Sequence, residues 1–537
     1  MRSAYLAQTI RAAEEPLLAS LPGVLMQRAA SGLASVLLRE LRALRGAVYG
    51  ARVLVVAGAG NNGGDALYAG ARLLARGVAV SAWLTSERVH EAAWAAFRAA
   101  GGRQLDAVGA VAALGSIDLV VDGVLGIGGR AGLREPVALF ARACADAEVP
   151  VVAVDLPSGL DADQCGAEIP ASAGMTSSAT PGHPDTAGPT SSTATPAPTA
   201  TPTPTVIPGL PRDLVGVGLP HFIAARTVTF GGLKLCQVLE PAASGCGTVE
   251  LVDIGLDLPE PDLRCWERSD VAAAWPIPDA TSDKYSRGVV GLDTGSDSYP
   301  GAAVLSTLGA VHAGAGMIRF AGADGAVALI RQAAPNVVFG TGRVQARVLG
   351  CGWGERPDGA AVVERALAED LPLVLDADAL RFLPPGELGE RVLLTPHAGE
   401  LARLLEIERT AVSADPMAAV RTAATRFGAT VLLKGATQYV CGPDGRVSIA
   451  VPGPHWTAQA GSGDVLAGIC GTLLAAGLPP AKAALAAASI QALTAASAPG
   501  PYPPQELATR LPGVIAGLCA PSSRPHLSSR PHPSSRT

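Results

Sequence analysis

A chain of 537 residues with a formal net charge of -6, 48% hydrophobic and only 4% aromatic residues, is too long for one core, so two domains with aliphatic packing are expected. The mildly acidic balance, without a basic stripe or basic amphipathic run, removes the electrostatic case for nucleic acid or a membrane surface as partner. Nine cysteines without close pairs argue against a disulfide framework or a zinc knuckle. No apolar run reaches the roughly 18–20 residues of a spanning helix. The N-terminus, interrupted by Glu14 and Glu15, lacks a signal-peptide core, and a cytoplasmic protein with reduced thiols is expected.

The chain begins with a helical stretch, Arg11 to Ala34, and then alternates short apolar runs such as Arg52 to Gly58 and Val151 to Pro157 with Ala/Leu/Arg-rich stretches such as Ala66 to Gly77. That alternation predicts βαβ units and a parallel sheet. From Ala171 to Gly209 the composition turns to Pro, Thr, Ser and Ala, which cannot bury enough surface to offset its ordering entropy. A disordered insertion over about 171–213 is expected. Apolar patterning resumes over Ala225 to Leu256, read as two or three strands that complete the first sheet. The first domain is therefore 1–257, followed by a charged, proline-containing linker at 258–266. The second domain, 267–519, repeats the scheme with apolar runs opening at Ala346, Leu373, Arg391 and Thr430, and a tail at 520–537 repeating Ser-Ser-Arg-Pro-His is expected to be disordered.

In open α/β sheets ligands sit beyond the carboxyl ends of the strands. Three expected loops of the first domain fall there: Gly58 to Asp65, Leu125 to Gly132 and Leu156 to Asp163. Their glycines permit close approach to a phosphate, though they suit a structural turn as well. Asn61, Asn62, Asp65, Asp122, Asp155 and Ser158 add oxygen atoms without imidazole or thiolate, a donor set for a hard cation.

Asn-Asn-Gly-Gly-Asp, Gly-Ile-Gly-Gly-Arg and Asp-Leu-Pro-Ser-Gly-Leu-Asp together resemble the NAD(P)H-hydrate epimerases over most of residues 1–257. The resemblance implies a Rossmann-like three-layer fold. It implies that Asn61, Asn62, Gly63, Gly64 and Asp65, with Gly126, Ile127, Gly128, Gly129, Arg130, Ala131 and Gly132, hold the hydrated dinucleotide. Asn62, Asp122 and Ser158 would bind K+, and Asp155 would contact the substrate and transfer a proton. The chain departs from the family at Ala66, where a glycine is usual.

Only four lysines occur, Lys234, Lys284, Lys434 and Lys482. Lys434 follows an apolar strand, where its point charge can approach a phosphate. Further on, Gly461-Ser462-Gly463 opens an apolar helix with Asp464 at its N-terminus. First-turn N–H groups attract an anion there, and a carboxylate can accept the proton of an attacking hydroxyl in phosphoryl transfer. An aspartate in that position can also be a helix cap and nothing more.

The stretch from Ala460 to Gly468 resembles the anion-hole motif of ribokinase-like proteins, and residues 267–519 are similar to the ADP- or ATP-dependent NAD(P)H-hydrate dehydratases. The likeness implies that Ala302, Gly354 and His397 line the hydrated-cofactor pocket, with Glu400 close by. Lys434, Gly435, Ala436, Thr437 and Gly463 would hold ADP, Asp464 would face the substrate hydroxyl, and Mg2+ would accompany the nucleotide. Trp353 interrupts a run in which relatives carry Gly-Pro-Gly-Leu-Gly. A bifunctional, homo-oligomeric enzyme acting on NADHX and NADPHX is the expectation. The alternative is a ribokinase-like small-molecule kinase fused to a non-catalytic nucleotide-binding module.

Overall fold

The computed structural model describes residues 1–163 and 219–519; the insertion expected at 171–213 and the tail at 520–537 lie outside the described residues. The N-terminal half supplies nine strands: β1 (Arg2–Tyr5), β2 (Arg52–Ala57), β3 (Ala79–Leu84), β4 (Arg103–Leu105), β5 (Leu119–Gly123), β6 (Val151–Val154), β7 (Arg226–Phe230), β8 (Leu233–Lys234) and β9 (Thr248–Val252). Seven form one sheet in the order β4-β3-β2-β5-β6-β7-β9, parallel at every pairing.

Alternation along β2 builds three layers. Val53, Val55 and Ala57 enter one core with Leu33, Leu37 and Leu41 of the helix Val24–Arg45. Leu54 and Val56 enter a second core on the opposite face with Phe140 and Cys144. The chain leaves β2 toward β3 and β4, then returns to β5 on β2's other side, so a crevice opens between the ends of β2 and β5.

The second sheet takes β10 (Leu263–Cys265), β11 (Val289–Asp293), β12 (Met317–Phe320), β13 (Val338–Phe339), β14 (Ala346–Leu349), β15 (Leu373–Leu375), β16 (Val392–Leu394), β17 (Thr430–Leu433), β18 (Tyr439–Cys441) and β19 (Val447–Ile449). Its order is β13-β12-β11-β14-β15-β16-β17-β18-β19-β10-β1-β8. The helix Ser462–Ala475 is buried at every residue from Val465 to Ala475, which explains why it is apolar all round. Gly468 lets it press on the helix Pro300–His312, since a Cβ there would lie 2.0 Å from the Ser306 carbonyl oxygen.

The 258–266 stretch does more than connect. Cys265 pairs with Ile449 in β19, Ser3 of β1 pairs with Arg264, and Leu233 of β8 pairs with Ala4. Strands from the N-terminal half thus cover the edge of the C-terminal sheet, whose backbone donors and acceptors would otherwise lack partners. Two- to four-residue strands carry too little periodicity to be read from sequence. Among the described residues no single helix is long and apolar enough to cross a membrane.

Candidate active sites

The first correction to the sequence reading concerns Asn61 to Asp65. These residues form the first turns of the helix Asn61–Leu74, not a loop. Their glycines are demanded by packing, because a Cβ on Gly63 would lie 2.1 Å from the Gly58 carbonyl oxygen. The result is a helix N-terminus, with free N–H groups, aimed at the crevice between β2 and β5. Ala66 is fully buried in this helix, and its Cβ leaves no room for one on Gly123.

Asn62, Asp122 and Ser158 converge. The Ser158 hydroxyl donates to Asp122 Oδ1 at 2.6 Å and its backbone N–H to Oδ2 at 2.7 Å. The Leu125 N–H donates to Ser158 Oγ at 2.8 Å, and the Asn62 amide donates to the Leu125 carbonyl at 3.0 Å. Asp122 is fully buried. Burial pushes its carboxyl up to about 6, against the bonds from Ser158 and Val124 that favour the charged form. No salt bridge reaches it among the described residues.

Asp155 follows β6 in the left-handed region, with φ of 69°. Its Oδ2 accepts from the Ile127 N–H at 3.2 Å. Gly126 lies between Asn62 and Asp155, where a Cβ would stand 3.1 Å from both Asn62 Oδ1 and Asp155 Oδ2. Gly128 and Arg130 are exposed, whereas Gly129 closes a turn on the Gly126 carbonyl at 2.7 Å and Gly132 donates to the Gly159 carbonyl at 2.8 Å. Ala131 sits half-buried between them.

Sequence reasoning missed Lys234. Its ammonium, 1% exposed, lies 2.5 Å from Asp155 Oδ1 and also donates to Thr229 Oγ1 at 2.8 Å. Its rarity in a lysine-poor chain was the available signal; its location, on a two-residue strand 79 positions from Asp155, was not legible. Asp65 is buried, and its Oδ1 has no hydrogen-bond partner among the described residues. Burial first, then the charges of Asp155 and Glu14, hold its carboxyl well above the usual range.

In the C-terminal half, Gly461 caps the helix Ser462–Ala475 with φ of 91°. A Cβ on Gly463 would lie 3.3 Å from Lys434 Nζ, so the ammonium sits against the helix's first turn. Lys434 Nζ is 2.5 Å from Asp376 Oδ1. Asp376, which the sequence reading passed over, also accepts from Thr395 Oγ1 at 2.7 Å and from Cys351 Sγ at 3.3 Å. Ligand atoms of Cys351, Asp376 and Asp464 lie within 4.8 Å of one another. Burial and then the Asp376 charge push Asp464 up to about 7, with Lys434 opposing. Burial draws Lys434 down, but Asp376 and Glu400 outweigh it and leave its pKa raised.

His397 caps the helix Ala398–Leu405. Its Nδ1 accepts from the Gly399 N–H at 3.0 Å, while Glu400 Oε2 accepts from the His397 N–H at 2.8 Å, a reciprocal capping box. With Lys434, Gly435, Ala436, Thr437 and Gly463 it lines a cleft of about 720 Å³. Ala302 and Gly354, expected in the same pocket as His397, do not line this cleft. A Cβ on Gly352 would meet Ala302 Cβ at 2.4 Å, one on Gly354 would meet the Tyr299 ring at 3.1 Å, and the Gly354 N–H donates to Asp378 at 2.8 Å. Gly350, Gly352 and Gly354 all have positive φ, so the glycines of this run are obligatory. Trp353 turns into the core, donates to the Asp293 carbonyl at 2.9 Å and lies under the Arg356 guanidinium.

A seven-stranded parallel sheet with a glycine-rich helix N-terminus at its switch point defines a Rossmann-like nucleotide-handling domain. The mixed sheet with a glycine-capped helix N-terminus beside a lysine defines a ribokinase-like one. The comparisons agree: residues 290–514 match the family model described as NAD(P)H-hydrate dehydratase, and residues 22–180 match that of the YjeF-related protein N-terminus. The bifunctional NAD(P)H-hydrate repair enzyme Nnr of Mycobacterium leprae is 43% identical over 94% of this chain and 96% of its own length. That of Mycobacterium tuberculosis is 44% identical over 90% of this chain and 91% of its own. The ADP/ATP-dependent NAD(P)H-hydrate dehydratase from Bacillus subtilis, co-crystallised with ATP/Mg2+, aligns at 25% identity and a TM-score of 0.44 over 48% of this chain and 98% of that one. The chain belongs to the bifunctional NAD(P)H-hydrate repair enzymes.

Proposed function

We propose that this chain repairs hydrated NADH and NADPH: the N-terminal site interconverts the R and S epimers at C6, and the C-terminal site uses ADP to dehydrate the S epimer. The observation that carries this reading is the presence, on one chain whose relatives match across both halves, of two separate carboxylate–lysine centres, each at a helix N-terminus or strand end suited to a nucleotide.

At the first centre the helix N-terminus at Asn61 to Asp65 and the Gly126 to Gly132 segment bind the dinucleotide. Asp65, whose carboxyl burial holds well above the usual range, protonates the C6 hydroxyl, which leaves as water while the ring nitrogen supplies the electron pair to C6. Water adds to the other face and gives its proton to Asp155, whose orientation is held by Lys234 and the Ile127 N–H; the reverse reaction exchanges the two roles. The residues fit K+: Asp122 is a buried carboxylate without a cationic partner among the described residues, Ser158 Oγ lies against it, and the Leu125 carbonyl, held by Asn62, accepts from the same hydroxyl. K+ would supply the counter-charge that keeps Asp122 ionised.

At the second centre Lys434 to Thr437 and Gly463 hold ADP, while Ala302, Gly354 and His397 bound the hydrated ring. Asp464 takes the C6 hydroxyl proton as that oxygen attacks the β-phosphorus, and AMP leaves. The ring nitrogen's electron pair then expels inorganic phosphate from C6, and the departing phosphate takes the C5 proton, restoring the C5–C6 double bond. Asp376 is already engaged by Lys434 and Thr395, so Mg2+ would be held mainly through nucleotide phosphates, neutralising their charge.

The test supplies mixed NADHX epimers with ADP, with and without K+, and follows reduced-nicotinamide absorbance and free phosphate. Complete recovery with stoichiometric phosphate release supports both activities. Recovery that halts with the R epimer stranded would remove the epimerase, and a stable phosphorylated product would make the C-terminal half a kinase.

A further inference from the structure

The two centres share a wall. The cleft of about 720 Å³ that holds Lys434 to Thr437 is not closed by the C-terminal half alone; Gln237, Val238, Glu240 and Ala243 from the N-terminal half line it too. Gln237 is buried, and its side chain is spent on the other centre. Its Nε2 donates to the Asp155 carbonyl at 2.7 Å, and its Oε1 accepts from the Lys234 N–H at 2.9 Å. Lys234 in turn grips Asp155 Oδ1 at 2.5 Å. One amide therefore ties together the backbone of the residue at φ of 69° and the strand that carries its cationic partner. No other side chain among the hydrogen bonds of the described residues joins Asp155 to the cleft wall.

Resting on the functional reading above, we propose that Gln237 is a positioning residue of the epimerase centre through which occupancy of the ADP cleft changes the epimerisation rate. A nucleotide filling the cleft would press on Val238, Glu240 and Ala243, which directly follow the Leu235–Gln237 turn, and a ligand that favours one position of that turn over another shifts their populations. Any shift of the turn would change how Asp155 and Lys234 are held, because both depend on the same amide. The coupling is reciprocal: a dinucleotide bound against Asp155 alters nucleotide affinity by the same factor.

The experiment uses the full-length protein and α,β-methylene-ADP, which occupies the cleft but cannot transfer its terminal phosphoryl group. Epimerisation of pure R-NADHX is followed by chiral separation, with kcat and KM measured without and with saturating analogue, whose binding is read separately by calorimetry. A change of about fivefold or more in either constant is expected. In Gln237→Glu, which keeps the acceptor for the Lys234 N–H and loses the donor to the Asp155 carbonyl, kcat falls about tenfold with KM little changed, and the response to analogue disappears. A variant that retained the response would overturn the proposal, since a merely structural glutamine lowers stability without abolishing coupling. If the variant does not fold, the wild-type comparison decides: analogue bound, epimerisation intact and both constants unchanged would overturn the coupling alone. Absence of epimerisation, or of analogue binding, would overturn the functional reading and this inference with it.

Discussion

Both halves place a lysine ammonium 2.5 Å from an aspartate that follows a parallel strand, yet the two pairs stand differently to solvent and to the reactive carboxyl. Lys234 is 1% exposed, and its partner Asp155 is itself the proposed proton-transfer group. The Lys434 side chain is 19% exposed and opens on a cleft, and its partner Asp376 is a support. The proposed base there, Asp464, is a third group, left to be pushed up to about 7 by burial and by Asp376's charge. A sealed pair fixes a carboxylate in one orientation. An open pair lends its cation to a ligand and its anion to the tuning of a neighbour.

The largest effect that would sharpen this contrast is expected from Asp464→Asn: dehydratase kcat falls by about 10²–10⁴, with R-to-S conversion unaffected. Wild-type dehydratase activity should also decline as pH drops below about 7, where Asp464 becomes protonated. The stability sign is opposite. Asp464 rises from its ordinary 3.8 to about 7 in the folded chain, so its protonated form favours folding at low pH and that contribution is lost as pH climbs toward 7. The asparagine variant should therefore melt higher than wild type at pH 8, and by less at pH 5.

Next, Lys234→Met should cost about 3–5 kcal/mol, because it leaves Asp155 buried and unpaired, and should lower epimerisation more than a hundredfold. Lys434→Met should cost less, about 1–2 kcal/mol, since its ammonium end opens on the cleft and water can take its place beside Asp376, and should chiefly weaken nucleotide binding. Urea midpoints of the two variants measure the contrast; equal losses would break it. Gly126→Ala should raise KM for R-NADHX several-fold by crowding Asn62 and Asp155, with about 1 kcal/mol of destabilisation. Trp353→Phe should lose about 1 kcal/mol through its bond to Asp293 and leave both activities near wild type.

The difference between the halves also separates what was legible from what was not. That Asn62, Asp122 and Ser158 lie near one another was readable because each sits at a strand end or helix start beside glycines, and βαβ topology brings such ends together. Asp464 and Lys434 were readable for the same reason. Lys234, Gln237 and Asp376 were not, although each makes a short bond within its centre. Lys234 lies on a two-residue strand, Gln237 on a single turn, and Asp376 beyond a three-residue strand, none long enough to carry a pattern.

By itself the sequence determined two α/β domains, their order and the residues at their strand ends, because periodicity and glycine placement are local consequences of backbone geometry. Only the tertiary structure decided that Arg2–Tyr5, Leu233–Lys234 and Leu263–Cys265 would join the opposite sheet, and that Gln237 would touch both centres. Edge pairing is set by which unsatisfied backbone groups the packed domains bring together. That encounter leaves no imprint in any short window of the chain.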